Sequence, residues 1–196
     1  FINDKKIKAF ELKLEHLFCN SPSTIIKAIT ISKIFKKCHY SSSELEKMIQ
    51  DIFKLEAVAN KDWLTNKVDR SVTGKVAIQQ TVGEVQIPLN NVGVMALDFK
   101  SYKGAATSIG HAPAAALINP GAGSRLSVAK ALTNLVFAPL THGLKGVSLS
   151  ANWMWPAKNK GEDSRLYTAV KEMSEFVSEL GINIPTGKDS MSMTQK

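Results

Sequence analysis

Thr186-Gly187-Lys188-Asp189-Ser190, near the C-terminal end, sets four chemically different groups side by side. A glycine lets backbone approach a ligand closely, a lysine offers a point charge to phosphate, an aspartate can hold Mg²⁺, and a serine can hydrogen-bond either. The stretch is not a Walker loop, because the spacing GxxxxGK[ST] is absent. Asn90-Asn91 precedes the apolar run Val92–Phe99 and so stands at the mouth of a strand, where polar side chains can meet a ligand. Lys130 and Asn134 lie one helical turn apart, so both side chains leave the same face. Each motif also has a plain reading, a polar turn or a solvated helix face. His111 reads either as a general base or as a loop histidine bonded to backbone, with no Ser, Cys or acidic partner at a suitable spacing. Trp153 and Trp155 read as a base-stacking pair or as an aromatic plug at a strand end.

The elements that must position these groups follow from periodicity. Asp69-Arg70-Ser71-Val72-Thr73-Gly74 is a polar, hydrogen-bonding turn. Val76 to Val85 comes close to alternation, the pattern of a strand with one wet face. Val92–Phe99 is apolar almost throughout and predicts a strand covered on both faces, with Pro88 at its entry or on an edge. SIGHAPAAALINPGAGSR supplies small residues, Gly and Pro that let backbone approach a neighbour. Residues 122–138 predict a helix with Leu126, Ala129, Leu132, Thr133 and Val136 inward and Pro139 as its stop. Gly146–Ala151 is β-like. Residues 162–180 give the cleanest helix, with Leu166, Ala169, Val170, Met173, Phe176, Val177 and Leu180 on one face and Gly181 as cap. Ile182–Ile184 predicts a short strand that presents the Thr186–Ser190 loop.

Upstream, Ile7, Phe10, Leu14, Leu17 and Phe18 predict a short amphipathic helix ended by Asn20-Ser21-Pro22. Ile25–Phe35 fits either strand or helix. Ser43 with Glu46 forms a capping-box spacing, followed by Leu45, Met48, Ile49, Ile52, Phe53 and Leu55 on one stripe. Residues 1–60 therefore read as a mainly helical connector, and the chain as α/β (α+β), a mixed sheet with helices packed on it.

Composition narrows the class. Hydrophobic residues make up 44% and charged residues 21%, ordinary for a globular chain, and the broken apolar runs predict no membrane span. Cys19 and Cys38 have no metal spacing, so reduced thiols and a cytoplasmic setting are expected. The net charge of +8 comes from scattered lysines without a nucleic-acid-reading motif, so no nucleic-acid partner is expected. Phe1 and the close at Thr-Gln-Lys read as cuts in a longer polypeptide.

From about Leu55 to Lys196, the order DRSVTGKVA, VGEVQIPL, SIGHAPAAALINPGAGSRLSVAKALTNLVFAPL, SANWMWPAKNKGEDSRLY and IPTGKDSMSM resembles the synthetase region of the large formylglycinamide ribonucleotide amidotransferases (phosphoribosylformylglycinamidine synthases). In that family the region comprises two pseudo-repeated halves, each resembling aminoimidazole ribonucleotide synthetase. Residues 61–196 resemble the amino-terminal domain of the second half, incomplete at its C-terminus. The resemblance implies an ATP-dependent carbon–nitrogen ligase of purine biosynthesis with glutamine as amido donor. ATP and Mg²⁺ would be its cofactors, formylglycinamide ribonucleotide its substrate, and the remaining domains of the same polypeptide its partners. The chain alone is expected to be inactive; the alternative is a non-catalytic, nucleotide-binding structural half.

By the same resemblance, Lys188, Asp189 and Ser190 would carry the catalytic site, Asp189 as a metal ligand and Lys188 on the nucleotide. Asn90 and Lys130 would face a second, auxiliary nucleotide, with Asn91 and Asn134 toward its metal. The sequence departs from the family there: Asn91 stands where Asp is usual and Lys130 where Glu is usual, while Asn134 matches.

Overall fold

The computed structural model describes residues 11–19, 25–61, 74–78, 84 and 91–194. Asp69–Thr73, Ile7, Phe10, Pro88 and Asn90, together with most of the alternating stretch after Ile78, lie outside the described residues. Helix α1 (Leu14–Leu17) is a single exposed turn. Residues 25–41 form neither helix nor strand. The capping box falls two residues earlier than the Ser43/Glu46 spacing predicts. Ser41 accepts from the Ser43 amide while Glu44 accepts from the Ser41 amide, both at 3.3 Å. Two S-x-x-E spacings overlap here, and the tight 3-10 turn Ser42–Glu44 selects the first. Helix α2 (Leu45–Lys54) follows, with no buried residue, so its apolar stripe is not folded inward among the described residues.

Strands β1 (Val76–Ile78), β2 (Val92–Ala96) and β3 (Gly104–Ser108) pair antiparallel in that order. Asp98 closes the β2–β3 turn by accepting from the amides of Lys100 and Ser101, bonds that hold its carboxyl below the usual range. In β2, Val92 is buried and Val94 and Ala96 half-buried, but Gly93 and Met95 are exposed. Among the described residues the strand is thus covered on one face, not two.

Helices α3 (Pro113–Ile118) and α4 (Pro120–Leu135) meet at Asn119, which ends the first and caps the second by accepting from the Ala122 amide at 2.9 Å. A Cβ on Gly123 would lie 2.5 Å from the Ala116 Cα, so the small residues do serve close helix packing. Along α4 the buried positions are Gly121, Gly123, Ser124, Val128 and Leu135, whereas Leu126, Thr133 and Val136 are exposed. The predicted inward face is displaced because small and apolar residues run almost all the way round this helix. Strand β4 (Ser148–Met154), helix α5 (Glu162–Glu179) and parallel strand β5 (Asn183–Ser190) form a β-α-β unit. Gly181, at φ +69°, ends α5 with the Gly181 amide on Ser178 and the Ile182 amide on Val177.

Antiparallel and parallel pairing therefore occupy two sheets among the described residues, not one mixed sheet. One core joins them: Val92, Val128, Leu135, Ala138, Val147, Met173, Val177 and Ile182.

Candidate functional site

Two places bring the chemically competent residues together. The first is a cavity of about 410 Å³ between the start of β2, the end of β3 and α4, walled by Asn91, Val92, Gly93, Thr107, Ser108, Ile109 and Asn134. Its walls are tied by side chains reaching backbone. Asn134 Nδ2 donates to the Ile109 carbonyl at 2.9 Å and Ser108 Oγ to the Ala131 carbonyl at 2.8 Å. Gly110 makes that approach possible, since a Cβ there would fall 2.0 Å from the Ser127 carbonyl oxygen. Asn91 and Asn134 thus share one cavity. Lys130 is exposed and does not line it, and Asn90 lies outside the described residues.

The donor chemistry of this cavity does not fit a divalent cation. Asn91 and Asn134 are neutral amides, and hard cations are held chiefly by carboxylates. Among the described residues no group of three His, Cys, Asp or Glu side chains is placed to hold a metal.

The second place is β5. Thr186–Ser190 is strand, not the loop that the short Ile182–Ile184 segment predicts, because β4 supplies backbone partners well past its apolar centre. Asn152 pairs with Lys188, Trp153 with Asp189 and Met154 with Ser190. Pairing needs amides and carbonyls rather than apolar side chains, so the polar run extends the sheet. The consequence is a division by pleat. Lys188 and Ser190 share the face of Asn152 and Met154, and Lys188 Nζ donates to Ser190 Oγ. Asp189 leaves the opposite face, beside Trp153. Both Lys188 and Asp189 are exposed. A lone exposed carboxylate fits one ligand of a Mg²⁺ that keeps waters and phosphate oxygens for the rest.

A third cluster, which sequence reasoning missed, lies beside the ends of these strands. Glu162, the first residue of α5, accepts from Trp155 Nε1 at 3.0 Å and from Lys33 Nζ, and its Oε2 lies 3.4 Å from Arg165 Nε. Burial pushes its carboxyl up, but Lys33, Arg165 and Trp155 outweigh burial and hold it below the ordinary range. Arg165 donates in turn to the carbonyls of Ala116 and Leu117 at 2.8 and 2.7 Å. The signal was unreadable locally, since Lys33 is 129 residues away. Trp153 and Trp155 lie 6.5 Å apart at 60°, half-buried, which is the geometry of an aromatic plug. His111 is exposed.

A family model described as the FGAR-AT PurM_N-like domain matches residues 60–196. The human phosphoribosylformylglycinamidine synthase is 48% identical over 148 residues, covering 76% of this chain and 11% of its own length. That of Drosophila melanogaster is 37% identical over 203 residues, covering 99% of this chain and 14% of its own length. The Arabidopsis thaliana relative, named as a probable chloroplastic or mitochondrial phosphoribosylformylglycinamidine synthase, is 42% identical over 193 residues, 94% of this chain and 13% of its own length. The chain therefore spans less than a sixth of each of these relatives. No helix among the described residues is long and apolar enough to cross a membrane.

Proposed function

This chain belongs to the FGAR-AT PurM_N-like domain family, and on that footing we propose that it forms part of a phosphoribosylformylglycinamidine synthase, as the amino-terminal domain of the second synthetase half. In this reading residues 61–196 are the domain, related in fold to aminoimidazole ribonucleotide synthetase, and residues 1–60 connect it to what precedes. The whole polypeptide would use ATP to phosphorylate the amide oxygen of formylglycinamide ribonucleotide, and ammonia from glutamine would displace the phosphate to give the amidine. The other domains would supply the glutaminase cysteine and the facing half of the site. Cytoplasmic residence belongs to the same proposal and suits Cys19 and Cys38, both exposed and free.

The observation that carries the reading is 37–48% identity sustained across the chain to relatives that bear one name. The geometry is compatible with the following roles within it. Lys188, with Ser190 bonded to it, offers charge and a hydroxyl to phosphate oxygens from an exposed strand face. Asp189, on the reverse of the same strand, would contribute a carboxylate to Mg²⁺, which when bound offsets charge on the transferring phosphoryl group.

A second reading is favoured by the cavity. With Asn91, Thr107, Ser108 and Asn134 as its polar walls and no carboxylate among the described residues that line it, it suits a phosphate-bearing ligand held without divalent metal, with Lys130 one turn away on α4 as the counter-charge. Asn90, adjacent to Asn91 in sequence, would take the nucleotide side. This domain would then hold a nucleotide without turning it over.

The test is ATP-dependent amidine formation by the complete polypeptide and by this chain alone. Turnover in the former and none in the latter is expected; turnover by this chain alone overturns the assignment of the missing parts to other domains.

A further inference from the structure

Residues 25–41 have no helix or strand of their own, so their path is set by what they touch. Three contacts bring residues 30–33 to the start of α5. Thr30 Oγ1 and Ser164 Oγ are 2.9 Å apart. Ile31 lies against Gly161, whose absent Cβ would stand 3.1 Å from three Ile31 carbons, at a φ of +81° that glycine also serves. Lys33 donates to Glu162 Oε1.

Glu162 connects that segment to the end of β5. Its Oε2 accepts the Trp155 indole N–H at 3.0 Å, and the Trp155 amide donates to the Ser190 carbonyl, also at 3.0 Å. The Ala157 amide continues the ladder onto the Met191 carbonyl at 3.0 Å. On the other side, Arg165 Nε is buried without a hydrogen-bond partner among the described residues, 3.4 Å from the same Oε2. Two donors therefore compete for one carboxylate: the indole, which has its bond, and a buried guanidinium N–H, which has none. Lys33 on Oε1 fixes the carboxylate orientation in which the indole is served. Without Lys33, the unsatisfied Arg165 donor has reason to draw the carboxylate round, because an unpaired buried donor is costly.

We propose that residues 30–33 are a strap that sets the terminal pairing of β4 with β5, with Lys33 and Glu162 as positioning residues and Trp155 as the link between them and Ser190. The functional consequence, alignment of the strand face carrying Lys188 and Ser190, rests on the proposed function above.

The test uses the full chain, with amide hydrogen exchange and the ¹⁵N-indole resonance of Trp155 as readouts. Lys33→Met should shift that indole resonance and speed exchange at the Trp155 and Ala157 amides roughly three- to tenfold, a modest factor because Lys33 is 40% exposed. Amides of α4 should be unaffected, which separates the effect from general loss of stability. Lys33→Arg should restore both readouts. An unmoved indole and unchanged exchange in Lys33→Met, or a Lys33→Arg variant indistinguishable from it, overturns the strap. The reading of Lys188 and Ser190 is tested separately by Lys188→Ala in the complete polypeptide. Full turnover there would remove the functional consequence while the Trp155 response still stood.

Discussion

Glu162→Gln isolates the charge of the junction from its shape. Glutamine keeps the side-chain volume and one acceptor oxygen for the Trp155 indole, while its NH₂ replaces the oxygen that faces Lys33, so the anion and that one acceptor are lost together. Glu162 and Arg165 are 14% and 12% exposed, and Lys33 is 40% exposed. The Lys33 pair is solvent-screened and contributes at most about 1 kcal/mol. Arg165 loses its neighbouring anion while its Nε stays buried without a hydrogen bond, a change that costs about 1–2 kcal/mol. The ceiling for breaking a fully buried pair does not apply, because Arg165 keeps the Ala116 and Leu117 carbonyls. The expected loss is therefore about 1–3 kcal/mol, or roughly 2–12 °C in melting temperature for a chain of this length. Its pH dependence has a definite sign. The folded carboxyl titrates below its ordinary value, so the stabilisation is complete above the unfolded value near ~4.3 and disappears as pH falls through the folded one. Urea unfolding of both proteins at pH 7, 5 and 3.5 should show a gap that is open at pH 7 and pH 5 and narrows at pH 3.5. A gap as wide at pH 3.5 as at pH 7 would refute the electrostatic origin.

Three further outcomes are expected. Gly123→Ala would add up to about 1 kcal/mol to an isolated helix, but here its Cβ would lie 2.5 Å from the backbone of Ala116, so the sign should reverse to a loss of about 1–3 kcal/mol; an unchanged thermal melt would show that α3 and α4 can separate freely. Asp189→Ala in the complete polypeptide should lower turnover about 10–100-fold without disturbing the fold, since Asp189 is exposed on β5; wild-type turnover at limiting Mg²⁺ would remove it from the site. Asn91→Asp combined with Lys130→Glu changes the local charge by −1 and −2, −3 in all, and should create Mg²⁺ binding in about the millimolar range, read by titration calorimetry; equal Mg²⁺ binding by the unaltered chain would count against a metal-free cavity.

Helix α5 was legible because one sequence feature served each of its needs. Ala169, Met173 and Val177 recur at helical spacing and are buried, and Gly181 supplies the positive φ that the cap requires. Helix α4 was legible in extent but not in orientation. Its small residues serve close backbone approach rather than an apolar stripe, so periodicity placed Leu126 and Val136 inside when they are exposed. For β2, a run of apolar residues could not reveal that one face is left exposed among the described residues, since burial depends on what packs there and not on the strand itself.

The candidate sites divide the same way. Asn91 and Asn134 meet at one cavity although 43 residues separate them; the pattern alone put one at a strand mouth and the other on a helix face, and only the family resemblance put the two together. Lys188, Asp189 and Ser190 show the converse: neighbours in sequence that the pleat sends to opposite faces. As a loop, the three side chains could converge on one phosphate; as a strand, Lys188 and Ser190 can do so and Asp189 cannot join them without a ligand that reaches round the strand's edge. An ATP·Mg²⁺ that meets Lys188 through phosphate and Asp189 through the metal must therefore pass the edge of β5 that is unpaired among the described residues, or its end beyond Ser190. That end is where the amides of Trp155 and Ala157 are bonded to the carbonyls of Ser190 and Met191. The pairing that Glu162 steadies is thus also the pairing such a ligand would have to skirt.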